Sequence, residues 1–152
     1  MDKIHIRPAV KSDMEAMHAL VYELAVYEKA PEEVYTSPEE YATDFEAGRF
    51  EGLIAEVDGE VVGCMLFFMM YSSWKGKMLY LDDFVVKEAW RRHGIGQLLY
   101  DRLLQLGRDR GCRLVKWQVL DWNEPAVSFY EKNKATIEKD WWNVKVVFQD
   151  LL

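Results

Sequence analysis

Cysteine is scarce in this 152-residue chain: Cys64 and Cys112 are the only two, each in an apolar stretch with no second cysteine or histidine at metal-ligand spacing. That pattern excludes a disulfide framework and a cysteine-based metal site, and it predicts buried free thiols. His5, His18 and His93 are scattered, so no metal cluster or histidine dyad is expected and no metal is assigned. Long hydrophobic runs are missing too. The longest, Val61 to Tyr71, is interrupted by Gly63 and falls far short of the roughly 20 residues a membrane helix needs, so no membrane partner is expected. The start, Met1-Asp2-Lys3, lacks the basic flank and apolar run of a signal peptide, and cytoplasm is the expected compartment. Positive charge is in deficit: 19 basic against 26 acidic residues give a formal charge of −7. Such a field repels polyphosphate chains and favours the approach of cations, so nucleic acid is not an expected partner.

What is present is a core. Half the residues are hydrophobic and 14% are aromatic, enough for residues 1–152 to fold as one domain. Lys3 to Pro8 alternates as a half-buried strand, and from Ser12 the apolar residues Met14, Met17, Leu20, Val21 and Leu24 recur at helical spacing. Ser12 with Glu15 predicts a capping box for this helix, which runs to about Glu28; Ser37 with Glu40 predicts a second box, with Gly48 ending that helix. The intervening Lys29 to Thr36 is polar and reads as a site loop. Phe50 to Val57 and Glu60 to Tyr71 are strands joined by Asp58-Gly59, the strongest short hairpin signal. Leu79 to Val86, almost continuously apolar, predicts the central strand. A helix with Leu98, Leu99, Leu103 and Leu106 on one face follows, ending near Gly111. Then come a strand over Leu114 to Leu120, a helix from Asn123-Glu124-Pro125 to about Lys132, and a last strand carrying Val144, Val146 and Phe148.

Between the Leu79 to Val86 strand and the next helix lies Arg91-Arg92-His93-Gly94-Ile95-Gly96. A helix start exposes unpaired amide protons and a partial positive charge, so a glycine-opened turn there can wrap a pyrophosphate. Gly94 and Gly96 let the backbone approach, and Arg91 and Arg92 add charge-assisted bonds. The dinucleotide fingerprint needs a third glycine where Leu99 stands, and the lysine and hydroxyl of a nucleoside-triphosphate loop are absent.

Arg91-x-x-Gly94-x-Gly96 resembles the acyl-CoA pyrophosphate motif of the GNAT superfamily of N-acetyltransferases, and the order of elements resembles that fold over nearly the whole chain. Tyr80-Leu81-Asp82-Asp83-Phe84, Trp122-Asn123-Glu124-Pro125 and Phe129-Tyr130 narrow the resemblance to spermidine/spermine and thialysine N-acetyltransferases. The resemblance implies an α/β (α+β) fold with a mixed, mostly antiparallel sheet of six to seven strands and about four helices on both faces. It also implies acetyl-CoA as cosubstrate, a small amine as acceptor, and a homodimer. Asn133-Lys134-Ala135 departs from the usual arginine and glycine, which predicts Asn133 as the cap of the tyrosine helix.

Attack of an amine on a thioester needs an uncharged nitrogen, a stabilised oxyanion and a proton for the departing thiolate. By resemblance Tyr130 is the general acid, and Asp82 binds the amine or relays its proton through water. Phe129-Tyr130 packing on the sheet is the plainer alternative. Alternation along a strand puts Asp82 with Tyr80 and Phe84, and Asp83 with Leu81 and Val85, so the two carboxylates are not expected to share one role. Asp83 is a substrate-binding candidate, or else a buried carboxylate satisfied at a bulge. Glu28, Glu32 and Glu33 are candidates for the far end of a cationic acceptor, or a solvated face. Trp74 is an acceptor-site candidate or a loop anchor. The resemblance further assigns Phe84, Val85 and Val86 to the pantetheine arm, the turn Arg91, Arg92, His93, Gly94, Ile95 and Gly96 to the pyrophosphate, and Asn123, Ser128 and Tyr130 to CoA. Asn123 is equally an ordinary N-cap. A CoA-binding sensor without turnover and a protein N-acetyltransferase are the competing functional classes.

Overall fold

The computed structural model describes residues 3–152; Met1 and Asp2, at which the absence of a leader was read, lie outside the described residues. Two compact units divide the chain, residues up to Trp117 and Gln118–Leu152.

The first unit holds a five-stranded sheet in the order β1-β2-β3-β4-β5. Its strands are β1 (Ile4–Pro8), β2 (Glu51–Val57), β3 (Glu60–Ser72), β4 (Gly76–Val86) and β5 (Leu114–Lys116). The first four pair antiparallel and β4 pairs parallel with β5, so the sheet is mixed as expected. Its centre is β3, not the strand after it, because β5 spans only three residues and β4 is nearly an edge. Asp58 and Gly59 turn the β2–β3 hairpin with φ of 49° and 80°, the pair of left-handed residues that matches strand twist.

Helices α1 (Met14–Tyr27) and α2 (Pro38–Glu46) cover one face, where Met14, Met17, Leu20, Val21 and Tyr41 pack with Ile54, Cys64, Leu66 and Val85. Helix α3 (Ile95–Asp109) covers the other, with Gly107 close enough to Leu79 and Val115 that an added Cβ would meet both. The Ser37 cap forms, its hydroxyl oxygen accepting from the Glu40 amide at 3.1 Å. The Ser12–Glu15 box does not. Ser12 lies in a short 3₁₀ turn, Lys11–Asp13, and the buried Asp13 organises the segment by accepting from the Val10 amide and from both terminal nitrogens of Arg7. Arg7 also binds Glu56, tying β1, β2 and the entry to α1 together.

The second unit contains α4 (Glu124–Lys132) and a 3₁₀ turn at Gln149–Leu151. Asn123 caps α4, accepting from the Ala126 amide at 3.4 Å, and the Asn133 side chain closes it by donating to the Phe129 carbonyl. The left-handed residue after the helix is Lys134, φ 61°, rather than Asn133. No strand forms over Val144 to Phe148, and five strands rather than six or seven are present among the described residues. The alternation there was real, but alternation makes a strand only where a neighbouring backbone accepts it.

Candidate active site

The parity of β4 decides what its side chains can do. Leu66 pairs with Asp83 and Phe67 with Leu81, so Asp82 is an extra residue with no partner on β3. Such a bulge breaks strict alternation. Phe67 and Leu81 keep to the α3 face, whereas Asp83, opposite Leu66, and Val85, opposite Cys64, turn to the α1/α2 face. The expected grouping of Asp83 with Leu81 therefore fails; both aspartates lie close enough to act electrostatically on the Tyr41 hydroxyl of α2.

Asp83 is half-buried, and Glu28 at the end of α1 is near enough to repel it. Burial first, then Asp82 and Glu28, push its carboxyl up to about 7. Asp82 is more exposed, yet partial desolvation raises it too, as it raises Glu28. None of these three carboxylates makes a side-chain hydrogen bond or ion pair among the described residues. Asp13 shows the contrast: hydrogen bonds from Arg7 hold it below the ordinary aspartate range despite its burial. Cys64, opposite Val85, is a buried free thiol pushed up by burial and then by Asp83, so it stays protonated.

On its other edge β4 has a strand partner only over its first half, among the described residues. Parallel pairing to β5 stops at Tyr80, so no strand runs along β4 from Leu81 through Phe84, Val85 and Val86 on that side. A short 3₁₀ turn, Glu88–Trp90, then leads into the glycine turn. Arg92 and Gly94 are both left-handed, φ 66° and 79°, which points successive backbone amides into one concavity. Gly94 has nothing within 4 Å of where a Cβ would sit, so the cradle is open, while at Gly96 a Cβ would stand 3.6 Å from the Phe84 ring. Helix geometry leaves the Ile95 and Gly96 amides without an intrahelical acceptor. Arg91 donates through Nε to the Val86 carbonyl and lies over the Tyr27 ring, which fixes the turn against the end of α1. The His93 ring folds back, its Nδ1 donating to the Trp90 and Arg91 carbonyls, so the ring braces the turn.

The remaining candidates separate. Glu32 and Glu33 are exposed on a 3₁₀ turn, Pro31–Glu33, with Glu33 accepting from Tyr35. Trp74 stands 85% exposed at the tip of the β3–β4 hairpin, about 20 Å along the strand from Asp83 at the usual rise per residue. In the second unit, Tyr130 is buried on α4, its ring edge-on to Phe129, and Ser128 is exposed one turn after the Asn123 cap. Sequence reasoning missed Tyr27, Tyr41 and Cys64 as neighbours of the site; none carries a motif, and only the fold brings them to β4.

A sheet parted at a bulge, beside a glycine turn opening a helix, defines an acyl-CoA-binding acyltransferase fold. The chain belongs to the Acetyltransferase (GNAT) family, whose pattern it matches over residues 15–134, and it is an acetyltransferase. It is 32% identical to a thialysine N-epsilon-acetyltransferase of Caenorhabditis elegans, over 86% of this chain and 82% of that protein. The corresponding protein of Bos taurus is 36% identical over 84% and 81%. Among solved structures, an aminoglycoside acetyltransferase from a soil metagenome superposes with a TM-score of 0.80 at 18% identity, covering 96% of this chain and 97% of that one. An aminoglycoside N-acetyltransferase in complex with CoA gives 0.77 at 17%, covering 95% and 96%.

Proposed function

We propose that the protein transfers the acetyl group of acetyl-CoA to a primary amine of a small cationic acceptor, a polyamine, diamine or lysine-like amino acid such as thialysine, in a single ternary complex. The observation that carries this is the unneutralised set Glu28, Asp82 and Asp83 at the bulge of β4. A cation entering there gains the ion pairs that no lysine or arginine of the described chain supplies. The names of the similar proteins, including a human spermidine/spermine N(1)-acetyltransferase-like protein 30% identical over 93% of this chain and 22% of that one, support the same acceptor class.

Acetyl-CoA, when bound, supplies an acyl group activated as a thioester. The residues present fit it: backbone amides of the Arg91–Gly96 turn for the pyrophosphate, with Arg91 and Arg92 adding charge, and the uncovered edge at Phe84, Val85 and Val86 for the pantetheine arm. Asn123, which caps α4, and Ser128 on that helix are the remaining contacts. Tyr130 gives its hydroxyl proton to the sulfur as the carbon–sulfur bond breaks. Glu32 and Glu33, on the turn that follows α1 and Glu28, are placed to attract the far end of a cationic acceptor, whereas Trp74 at the distant hairpin tip is left out of the site. The chemistry calls for no metal, since side chains carry every proton.

The chain acts as a homodimer in the cytoplasm. Exposed apolar residues of the last segment, Trp142, Val144 and Val146, support the first, and two free thiols suit a reducing compartment. Thiol release from acetyl-CoA, followed with spermidine, putrescine, lysine and thialysine, tests the reading. Release that depends on at least one of these amines is expected; CoA binding with no release for any of them would make the protein a sensor.

A further inference from the structure

The two ligands of the proposed reaction fall to different elements, the donor to the turn after β4 and the acceptor to carboxylates that include Glu28 at the end of α1. A contact joins these elements: Arg91 Cζ lies over the Tyr27 ring, 5.9 Å from its centroid, and Tyr27 is the last residue of α1, next to Glu28. We propose that Tyr27 is a positioning residue that, through Arg91, couples binding of the acyl donor to binding of the amine. This rests on the proposed amine acetylation and adds how its two sites come to fill together.

Arg91 is held at one end and open at the other. The Lys87 amide donates to the Val62 carbonyl on β3, so by alternation the Val86 carbonyl faces the opposite edge of β4, where Arg91 Nε donates to it at 3.2 Å. That bond sets the guanidinium between the glycine turn and α1. No carboxylate pairs with Arg91 among the described residues, and its two terminal nitrogens remain for a diphosphate. A guanidinium meets phosphate with its in-plane N–H groups and an aromatic ring with its flat face, so the two demands do not compete. A phosphate on its edge therefore holds Arg91 against Tyr27 instead of drawing it off.

The other side of the link is stiff. Past Tyr27 the Lys29 amide donates to the Val26 carbonyl at 3.0 Å and the Ala30 amide to the Ala25 carbonyl at 2.9 Å, with Lys29 left-handed at φ 64°. This is the helix ending that glycine usually makes. Glu28 sits inside it, its own amide bonded to the Leu24 carbonyl at 2.8 Å, and Leu24 packs against the core that holds Leu66 and Val85. The backbone of Glu28 thus moves only with that of Tyr27. Arg91 is exposed, and its long side chain gives up rotamer freedom to lie on the ring. A bound donor supplies that ordering, so Tyr27 and Glu28 are already set when the amine arrives, and by linkage the amine strengthens the donor's hold by the same factor.

Calorimetry with CoA and an amine tests the coupling, the amine being whichever of spermidine, putrescine, lysine and thialysine releases thiol fastest from acetyl-CoA. In the wild type, saturating amine should tighten CoA about fivefold, and saturating CoA should tighten the amine equally. Tyr27→Leu keeps an apolar side chain without the ring face; it should bring both factors to about one and weaken CoA alone about two- to fivefold, the share of an exposed cation–π contact. Tyr27→Phe, which loses only the hydroxyl, should behave as the wild type. In an Arg91→Gln background, Tyr27→Leu should change neither factor further, since both substitutions remove one contact. A factor of one in the wild type, a wild-type factor retained in Tyr27→Leu, or its loss in Tyr27→Phe overturns the assignment. If no amine is acetylated, the proposed function falls instead, and equal CoA affinity in the wild type and Tyr27→Leu would separately overturn the tie between Arg91 and Tyr27.

Discussion

Asp83 and Asp13 are two carboxylates set into the same unit with opposite treatments, and stability should register the difference. Asp13 is held low by Arg7, so its contribution is present above the unfolded pKa and fades as pH falls through its folded value. Asp83 is raised, so the folded state binds more protons than the unfolded one between about 4 and 7, and stability falls as pH rises across that window. Asp83→Asn removes a charge the fold holds unpaired. At pH 8 the Tm of this variant should exceed the wild type's by roughly 2–5 °C, and the difference should shrink below pH 5. A lower Tm at pH 8 would show that the carboxylate is satisfied after all. In the proposed reaction Tyr130 gives the proton to the leaving sulfur, so Tyr130→Phe should reduce turnover by roughly 10²–10⁴ with CoA affinity intact, measured as thiol release at saturating donor and acceptor. Unchanged turnover would remove Tyr130 from the chemistry.

At the level of elements, the turn between β4 and α3 is the part with least tolerance. Gly94 is left-handed at the helix start with open space above it, and that space is where the proposed pyrophosphate would approach. Gly94→Val strains the backbone and fills the cradle, and it should raise KM for acetyl-CoA at least tenfold with little change in far-UV circular dichroism. An unchanged KM would place the donor elsewhere. This turn was legible in the sequence, as were the Asp58-Gly59 hairpin and the Ser37 cap, because each is set by residues within four positions of one another. The bulge at Asp82 was not legible as a fact, only as an alternative. It arises from how many residues β3 and β4 place between shared pairs, which neither strand records alone. For the same reason alternation alone groups Asp83 with Leu81, on the wrong face. Ser12 forms no cap because it lies inside a 3₁₀ turn organised by Asp13, which Arg7, on another element, holds in place.

Across the whole molecule, the sequence disclosed the order of elements better than their partners. The strand expected over Leu114 to Leu120 stops at Lys116, and the alternation of Val144, Val146 and Phe148 ends in exposed side chains rather than a ladder. Trp142, Val144 and Val146 are 90%, 92% and 82% exposed, a density of apolar surface that a soluble monomer rarely keeps. In the proposed homodimer a second copy covers this surface, so replacing Val144 and Val146 together with aspartate should convert a dimer into a monomer by sedimentation velocity. A wild-type monomer at micromolar concentration would contradict the dimer. The formal charge of −7 belongs to this scale as well: it favours cationic acceptors at long range, and raising salt should raise KM for a polyamine more than for a monoamine.

Every part of the account requires coenzyme A to seat on the Arg91–Gly96 turn, and an isothermal titration of coenzyme A into the wild-type protein tests this most directly. The expected result is saturable binding of one molecule per chain with micromolar affinity, weakened at least tenfold by Gly94→Val. An absence of heat at any temperature tried, or equal affinity in the Gly94→Val protein, would contradict it.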